Sequence, residues 1–165
     1  MQGPGHSGAG GSRGGGVADQ KGGIDAEGRG HGDAIRFSEG LVTGVALIDL
    51  QHRRFFELAA SLAEGKDPMR VMRSLALLSD HVRSHFREEE RLMAACAYAR
   101  LDDHRRLHEE IRDTLADLLT RARTMTLDGI ADEVTDLIRD RLCAHILSAD
   151  LDYAPHVAAA QFCQP

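Results

Sequence analysis

Four stretches of the chain repeat apolar residues at alternating steps of three and four, the spacing that lines side chains along one face of a helix. The first runs Val45, Ile48, His52, Phe55, Ala59, Leu62, and the second Val71, Leu75, Leu78, Val82, His85, Glu89, Leu92. The third reads His104, His108, Ile111, Leu115, Leu118, Ala122, and the fourth Val134, Ile138, Leu142, His145. Punctuation between them agrees: Gly65 ends the first helix, Asp67 is placed to cap the second, and Pro68 suits its first turn. The pattern predicts helices over about Ile48–Glu64, Pro68 to Ala94 or Ala95, Asp103–Arg123 and Leu127–Leu147, after a lead-in from Phe37 to Gly44. Short connections between such helices imply an all-α, up-down-up-down four-helix bundle.

Composition supports helices and bounds the rest. The chain has 165 residues, enough for one domain with a real core. Its 42% hydrophobic residues are mostly Leu, Ala, Val, Ile and Met, with 4% aromatics and no Trp, a balance that favours helices over sheets. Residues 1–36 hold 13 of the 17 glycines and almost nothing apolar, so that stretch is expected to be a disordered tail. The bundle is expected over 37–157, followed by a short C-terminal tail at 158–165. A net charge of −6 argues against nucleic acid as a partner. No apolar run is long enough to span a bilayer and the N-terminus lacks a signal-type apolar region, so the expectation is a cytoplasmic protein without membrane insertion, acting as a monomer. The three cysteines form no CxxC pair and suggest neither a disulfide framework nor a zinc knuckle.

Every stripe also carries ligand-type polar residues. His52, His85, Glu89, His104, His108 and His145 stand where a bundle buries leucines. An unpaired buried carboxylate is disfavoured by several kcal/mol or so, and buried imidazoles each need a partner. Metal ions would satisfy all of them together. In an antiparallel bundle the start of helix one, the end of two, the start of three and the end of four fall at one level, and all six residues lie at those ends. Five histidines with carboxylates exceed the needs of one tetrahedral zinc and argue for two metals. Imidazole with carboxylate suits iron, manganese or zinc, and no cysteine is among the candidates.

These residues carry a resemblance. The segments Asp49-Leu50-Gln51-His52, His85-Phe86-x-x-Glu89-Glu90-x-Leu92-Met93, Tyr98, His104-x-x-x-His108 and His145-Ile146-x-x-x-Asp150-x-x-Tyr153 resemble the hemerythrin family in its bacterial single-domain form, the bacteriohemerythrins. The likeness extends over 37–157. It implies two iron ions, one held by His104, His108 and His145 and the other by His52 and His85, with Glu89 and Asp150 bridging them beside a hydroxide. Two ferrous ions bring four positive charges and the bridges return three, so such a site tolerates burial. The resemblance further implies an open position on the iron held by His52 and His85, where dioxygen binds reversibly in a pocket lined by Phe55, Phe86, Leu142 and Ile146. No substrate is oxidised in that reading, so the chain is expected to be a carrier, store or sensor and not an enzyme. An enzyme-like use of the same centre, in peroxide, nitric-oxide or iron detoxification, is the alternative.

Three positions depart from the family pattern: Phe37 and Arg141 stand where Trp is usual, and Ala99 where Pro is usual. Arg141 would bring a cation near the site and bear on access and redox stability. His81, one turn before His85, reads as a boundary histidine, and His156 as exposed. Cys143 lies about 200° round the helix from His145 and should not reach the metal. Glu88 and Glu90 read as solvated or supporting residues. Asp49 and Gln51 are expected to orient His52 by hydrogen bonds, since ligating imidazoles donate their second N–H; Asp49 reads alternatively as an N-terminal cap with no such role.

Overall fold

The computed structural model describes residues 36–162. The Gly-rich segment 1–36, apart from Arg36, and the residues after Phe162 lie outside that range.

A single 3₁₀ turn (Glu39–Leu41) leads into α1 (Ala46–Ala63), α2 (Pro68–Ala95) and α3 (Leu101–Arg121). A fourth rod follows, made of α4 (Leu127–Asp136), a first π turn (Leu137–Leu142), α5 (Cys143–His145), a second π turn (Ile146–Asp150) and α6 (Leu151–Phe162). Neighbouring helices pack around a ring, α1 on α2, α2 on α3, α3 on the first π turn, and α4 back on α1. The short connections make these neighbours antiparallel, the four-helix bundle the stripes predict.

The expected helix signals are in place. Asp67 caps α2, its side chain accepting from the Met69 N–H at 3.0 Å, with Pro68 in the first turn. Thr126 caps α4 by accepting from the Gly129 N–H at 3.1 Å. A Cβ on Gly65 would stand 2.6 Å from Cγ2 of Val71, so the α1–α2 turn needs glycine for close approach. Helix α2 ends in a six-to-one turn: the Tyr98 N–H donates to the Met93 carbonyl at 2.9 Å and the Ala97 N–H to that of Ala94 at 3.2 Å. Ala97 takes φ of 51° to make it, the left-handed region glycine usually fills.

The fourth rod differs from expectation. The pattern of threes and fours breaks after His145, yet the chain stays helical through Phe162, well past Leu147 and into the segment expected as a C-terminal tail. The π turns explain the break. Residues five apart on an ordinary α-helix point about 140° away from each other, whereas a turn closed by i→i+5 bonds brings them to one side. The buried positions then step from His145 by five to Asp150, by three to Tyr153 and by four to Val157.

Two apolar clusters result. The larger fills the bundle from Leu62, Val71 and Ile130 up to Phe55, Phe86, Leu142 and Ile146. The smaller joins Val45, Ile48, Met93, Tyr98, Tyr153, Ala154 and Val157 at the other end. Asp49 ties the lead-in to α1, accepting from the Thr43 N–H (2.7 Å), the Thr43 hydroxyl (2.8 Å) and the Gly44 N–H (3.1 Å).

Candidate metal centre

Nine buried polar or charged side chains occur among the described residues, and seven of them are His52, His85, Glu89, His104, His108, His145 and Asp150. Helices α1, α2, α3 and the fourth rod each bring at least one to a common level. His85 and Glu89 are successive turns of α2, and His104 and His108 successive turns of α3. The second π turn adds Asp150 to the side already held by His145.

These seven fall into two groups. His104, His108 and His145 converge with Glu89, while His52 and His85 converge with Glu89 and Asp150; within each group the candidate ligand atoms lie within 4.8 Å of one another. Asp150 reaches across: Oδ1 lies 3.1 Å from Nε2 of His145 and 3.4 Å from Nε2 of His104, and Oδ2 lies 3.3 Å from Nε2 of His52. Glu89 Oε2 sits 3.1 Å from Nε2 of His108 and 3.4 Å from Nε2 of His85. Each carboxylate therefore faces both groups.

Whether this set suits a metal can be tested on its own hydrogen bonds. Nε2 of His52, His85, His104 and His145 and both oxygens of Asp150 are buried without a hydrogen-bond partner among the described residues. So many convergent orphans are rare in a native core. Their donor chemistry, imidazole nitrogen and carboxylate oxygen, is that of an iron, manganese or zinc site.

Burial favours the neutral, ligand form of three of the imidazoles. Burial, then the neighbouring His52, holds His85 well below the ordinary imidazole range. Burial, then His145, lowers His104 to about 4, and burial with His145 and His104 lowers His108 further. Burial raises Glu89, and the charge of Asp150 adds to it. Burial pushes Asp150 the same way, but His145 and His52 outweigh it and hold its carboxyl low. Metal-binding imidazoles must be neutral, the form that burial favours at His85, His104 and His108.

The surroundings sharpen some expectations and correct others. Gln51 serves His85 and not His52, with Oε1 2.9 Å from Nδ1 of His85. Asp49 serves the lead-in, as described above, and Nδ1 of His52 has no partner among the described residues. Glu90 is a supporting residue, 2.9 Å from Nδ1 of His108, whereas Glu88 pairs with Arg91 at the surface. His81 is half-buried and donates from Nε2 to the Gln51 carbonyl at 2.8 Å. Arg141 is exposed, as is His156, and Arg141 brings no buried cation to the centre. Tyr153 had no role assigned from sequence, yet its hydroxyl donates to Glu89 Oε1 at 2.7 Å.

Phe55, Phe86, Leu142 and Ile146, the residues expected to line a dioxygen pocket, are all buried in the larger apolar cluster. Phe55 lies 4.9 Å from the His85 ring and 6.1 Å from that of His52, beside the two-histidine group. Phe86 stacks on His108 at 3.7 Å and lies 5.5 Å from His85, between the groups.

The Hemerythrin HHE cation binding domain family matches residues 43–157, all seven convergent residues included. The chain belongs to the hemerythrin family. Among its relatives, the bacteriohemerythrin of Stenotrophomonas maltophilia is 31% identical over 126 residues, covering 74% of this chain and 81% of that protein. The bacteriohemerythrin of Pseudomonas aeruginosa is 29% identical over 124 residues, covering 73% and 80%. That of Methylococcus capsulatus is 28% identical over 120 residues, covering 71% and 91%. The fold also matches a crystal structure of wild-type hemerythrin, with a TM-score of 0.67 at 24% identity over 76% of this chain and 99% of that one. Among the described residues no helix is long and apolar enough to cross a membrane.

Proposed function

We propose that this hemerythrin-family chain holds two iron ions and binds dioxygen reversibly, for storage, delivery or sensing, without turning over a substrate. The observation that carries the reading is the pair of ligand groups that share Glu89 and are spanned by Asp150. His104, His108 and His145 would hold one ion and His52 and His85 the other, with Glu89 and Asp150 bridging. When bound, two ferrous ions supply the electrons and the open coordination position that dioxygen needs. The position at His52 and His85 has one imidazole fewer, which leaves room there for a small ligand.

The protein's part is to hold, orient and keep dry. Tyr153 fixes one oxygen of Glu89, and Gln51 and Glu90 fix the planes of His85 and His108. Phe55, Phe86, Leu142 and Ile146, all buried, would line the site with apolar side chains that carry no exchangeable proton. Water kept out in this way favours release of dioxygen as it came.

The test is optical. The metal-free chain is loaded anaerobically with ferrous iron, exposed to air, then purged. Uptake of two irons per chain with a visible band that appears in air and fades on purging supports a carrier. Irreversible conversion to ferric iron with peroxide in solution favours an enzyme-like role, and failure to bind two irons overturns the reading.

A further inference from the structure

The two ligand groups differ in what stands behind their imidazoles. His108 turns Nδ1 to a carboxylate, Glu90 Oε1, at 2.9 Å. His85 turns Nδ1 to a neutral amide oxygen, Gln51 Oε1, also at 2.9 Å. His52, the other imidazole of that second group, has a buried Nδ1 with no partner among the described residues. The three-histidine group is thus backed by a negative charge, while the two-histidine group is backed by one dipole and one bare N–H.

Glu90 is well held. Arg105 Nε lies 3.5 Å from its Oε2 and Arg112 Nη1 3.5 Å from its Oε1, and both arginines are themselves partly exposed. Their contacts are longer than that to His108 and partly screened by water, so they anchor the carboxylate without cancelling it. Phe86 completes the frame by stacking on the His108 ring, the planes within 7° of parallel.

An acceptor on the far nitrogen of an imidazole draws its proton outwards and makes the metal-facing nitrogen a stronger donor, and an ionised acceptor does this more than a neutral one. We infer that Glu90 is a positioning residue that makes the His104–His108–His145 position the tighter one, filled first, while Gln51 keeps the His52–His85 position weaker and filled second. The inference rests on the two-metal reading above and adds an order of filling and the residue that sets it.

Cobalt(II) alone is the probe, because its visible bands report coordination and it resists oxidation by air better than ferrous iron. The metal-free full chain is titrated with cobalt(II), followed by calorimetry and absorption together. Two equivalents should enter in two resolved steps. Glu90→Gln should weaken the first step by about 10- to 100-fold and move its absorption bands, leaving the second step in place. Gln51→Glu should act oppositely, tightening the second step towards the first. Two equivalents bound with neither step moved by Glu90→Gln, or both moved equally, overturns the inference and leaves the two-metal reading standing. Fewer than two equivalents of cobalt(II) and of ferrous iron overturns that reading itself. Circular dichroism checks the fold of each variant. If Glu90→Gln does not fold, Gln51→Glu decides: a tightened second step supports the inference, and an unchanged one overturns it.

Discussion

The hydroxyl of Tyr153, on α6, donates to Oε1 of Glu89, on α2, at 2.7 Å, with both side chains fully buried. The bond joins the smaller apolar cluster to the ligand set. It also leaves Oε2 of Glu89 as the oxygen turned to His108 and His85.

Tyr153→Phe keeps the ring and removes only that donor. A buried acceptor deprived of its partner costs about 1–3 kcal/mol. The metal-free variant should therefore unfold at lower urea than the parent, with an unchanged slope. Because burial and Glu89 hold the Tyr153 phenol far above its ordinary range, this loss should stay constant up to mildly alkaline pH.

Two histidines one turn apart should behave differently. His85→Ala removes one of the two imidazoles at the proposed open position, so air should no longer produce a reversible visible band after iron loading. His81→Ala removes a bond to the Gln51 carbonyl and an edge contact with Phe55. It should keep the band and lower stability by about 0.5–1.5 kcal/mol. Parallel spectra and urea curves distinguish the two, and equal loss of the band in both would contradict the assignment.

Ala97→Gly should stabilise the chain. Ala97 closes α2 at φ of 51°, where a Cβ costs about 1–2 kcal/mol. Glycine removes that cost and returns part of it as entropy of the unfolded chain, leaving a gain of about 0.5–1 kcal/mol. A rise in the thermal midpoint of the metal-free protein is the readout.

Acid should weaken the metal-free bundle before it titrates ordinary carboxylates. His85, His104 and His108 are all lowered by burial, His104 from 6.5 to about 4. The unfolded chain binds more protons at these residues, so the stability they contribute is full above 6.5 and is lost as pH falls from 6.5 towards 4. Glu89, raised, works in the opposite sense, but one carboxyl opposes three imidazoles. Urea midpoints of the metal-free chain should decline through this window, and metal should flatten the decline until protons displace it.

Much of this was legible in the chain because α-helical periodicity reports which face is buried. His52, His85, Glu89, His104, His108 and His145 stand on stripes of leucine and isoleucine, so their convergence follows from spacing and antiparallel order. Asp150 and Tyr153 do not obey that spacing. They reach the centre through π turns, whose wider register leaves no mark in a count of threes and fours; only the family likeness drew attention to Asp150. The partner of His85 was illegible for another reason. Gln51 sits beside His52 in sequence, and on a helix adjacent residues point about 100° apart. Its side chain therefore turns towards α2, and only the packing of α1 on α2 tells which imidazole it meets. The reach of the fourth rod is hidden because its stripe breaks at the second π turn and Pro155 interrupts the helical pattern beyond it.

The second π turn also fixes how this site could be lost or gained. Deleting one residue from Ile146–Asp150 would restore an ordinary helix but unseat Tyr153, Ala154 and Val157 from the smaller apolar cluster. It would also rotate everything beyond by about 100°, carrying Asp150 and Tyr153 off the centre together. A single codon thus separates a chain with two convergent carboxylates from one with five buried histidines and Glu89 alone. Such a chain would keep the larger apolar cluster and forfeit the convergence of Asp150 with His52, His104 and His145.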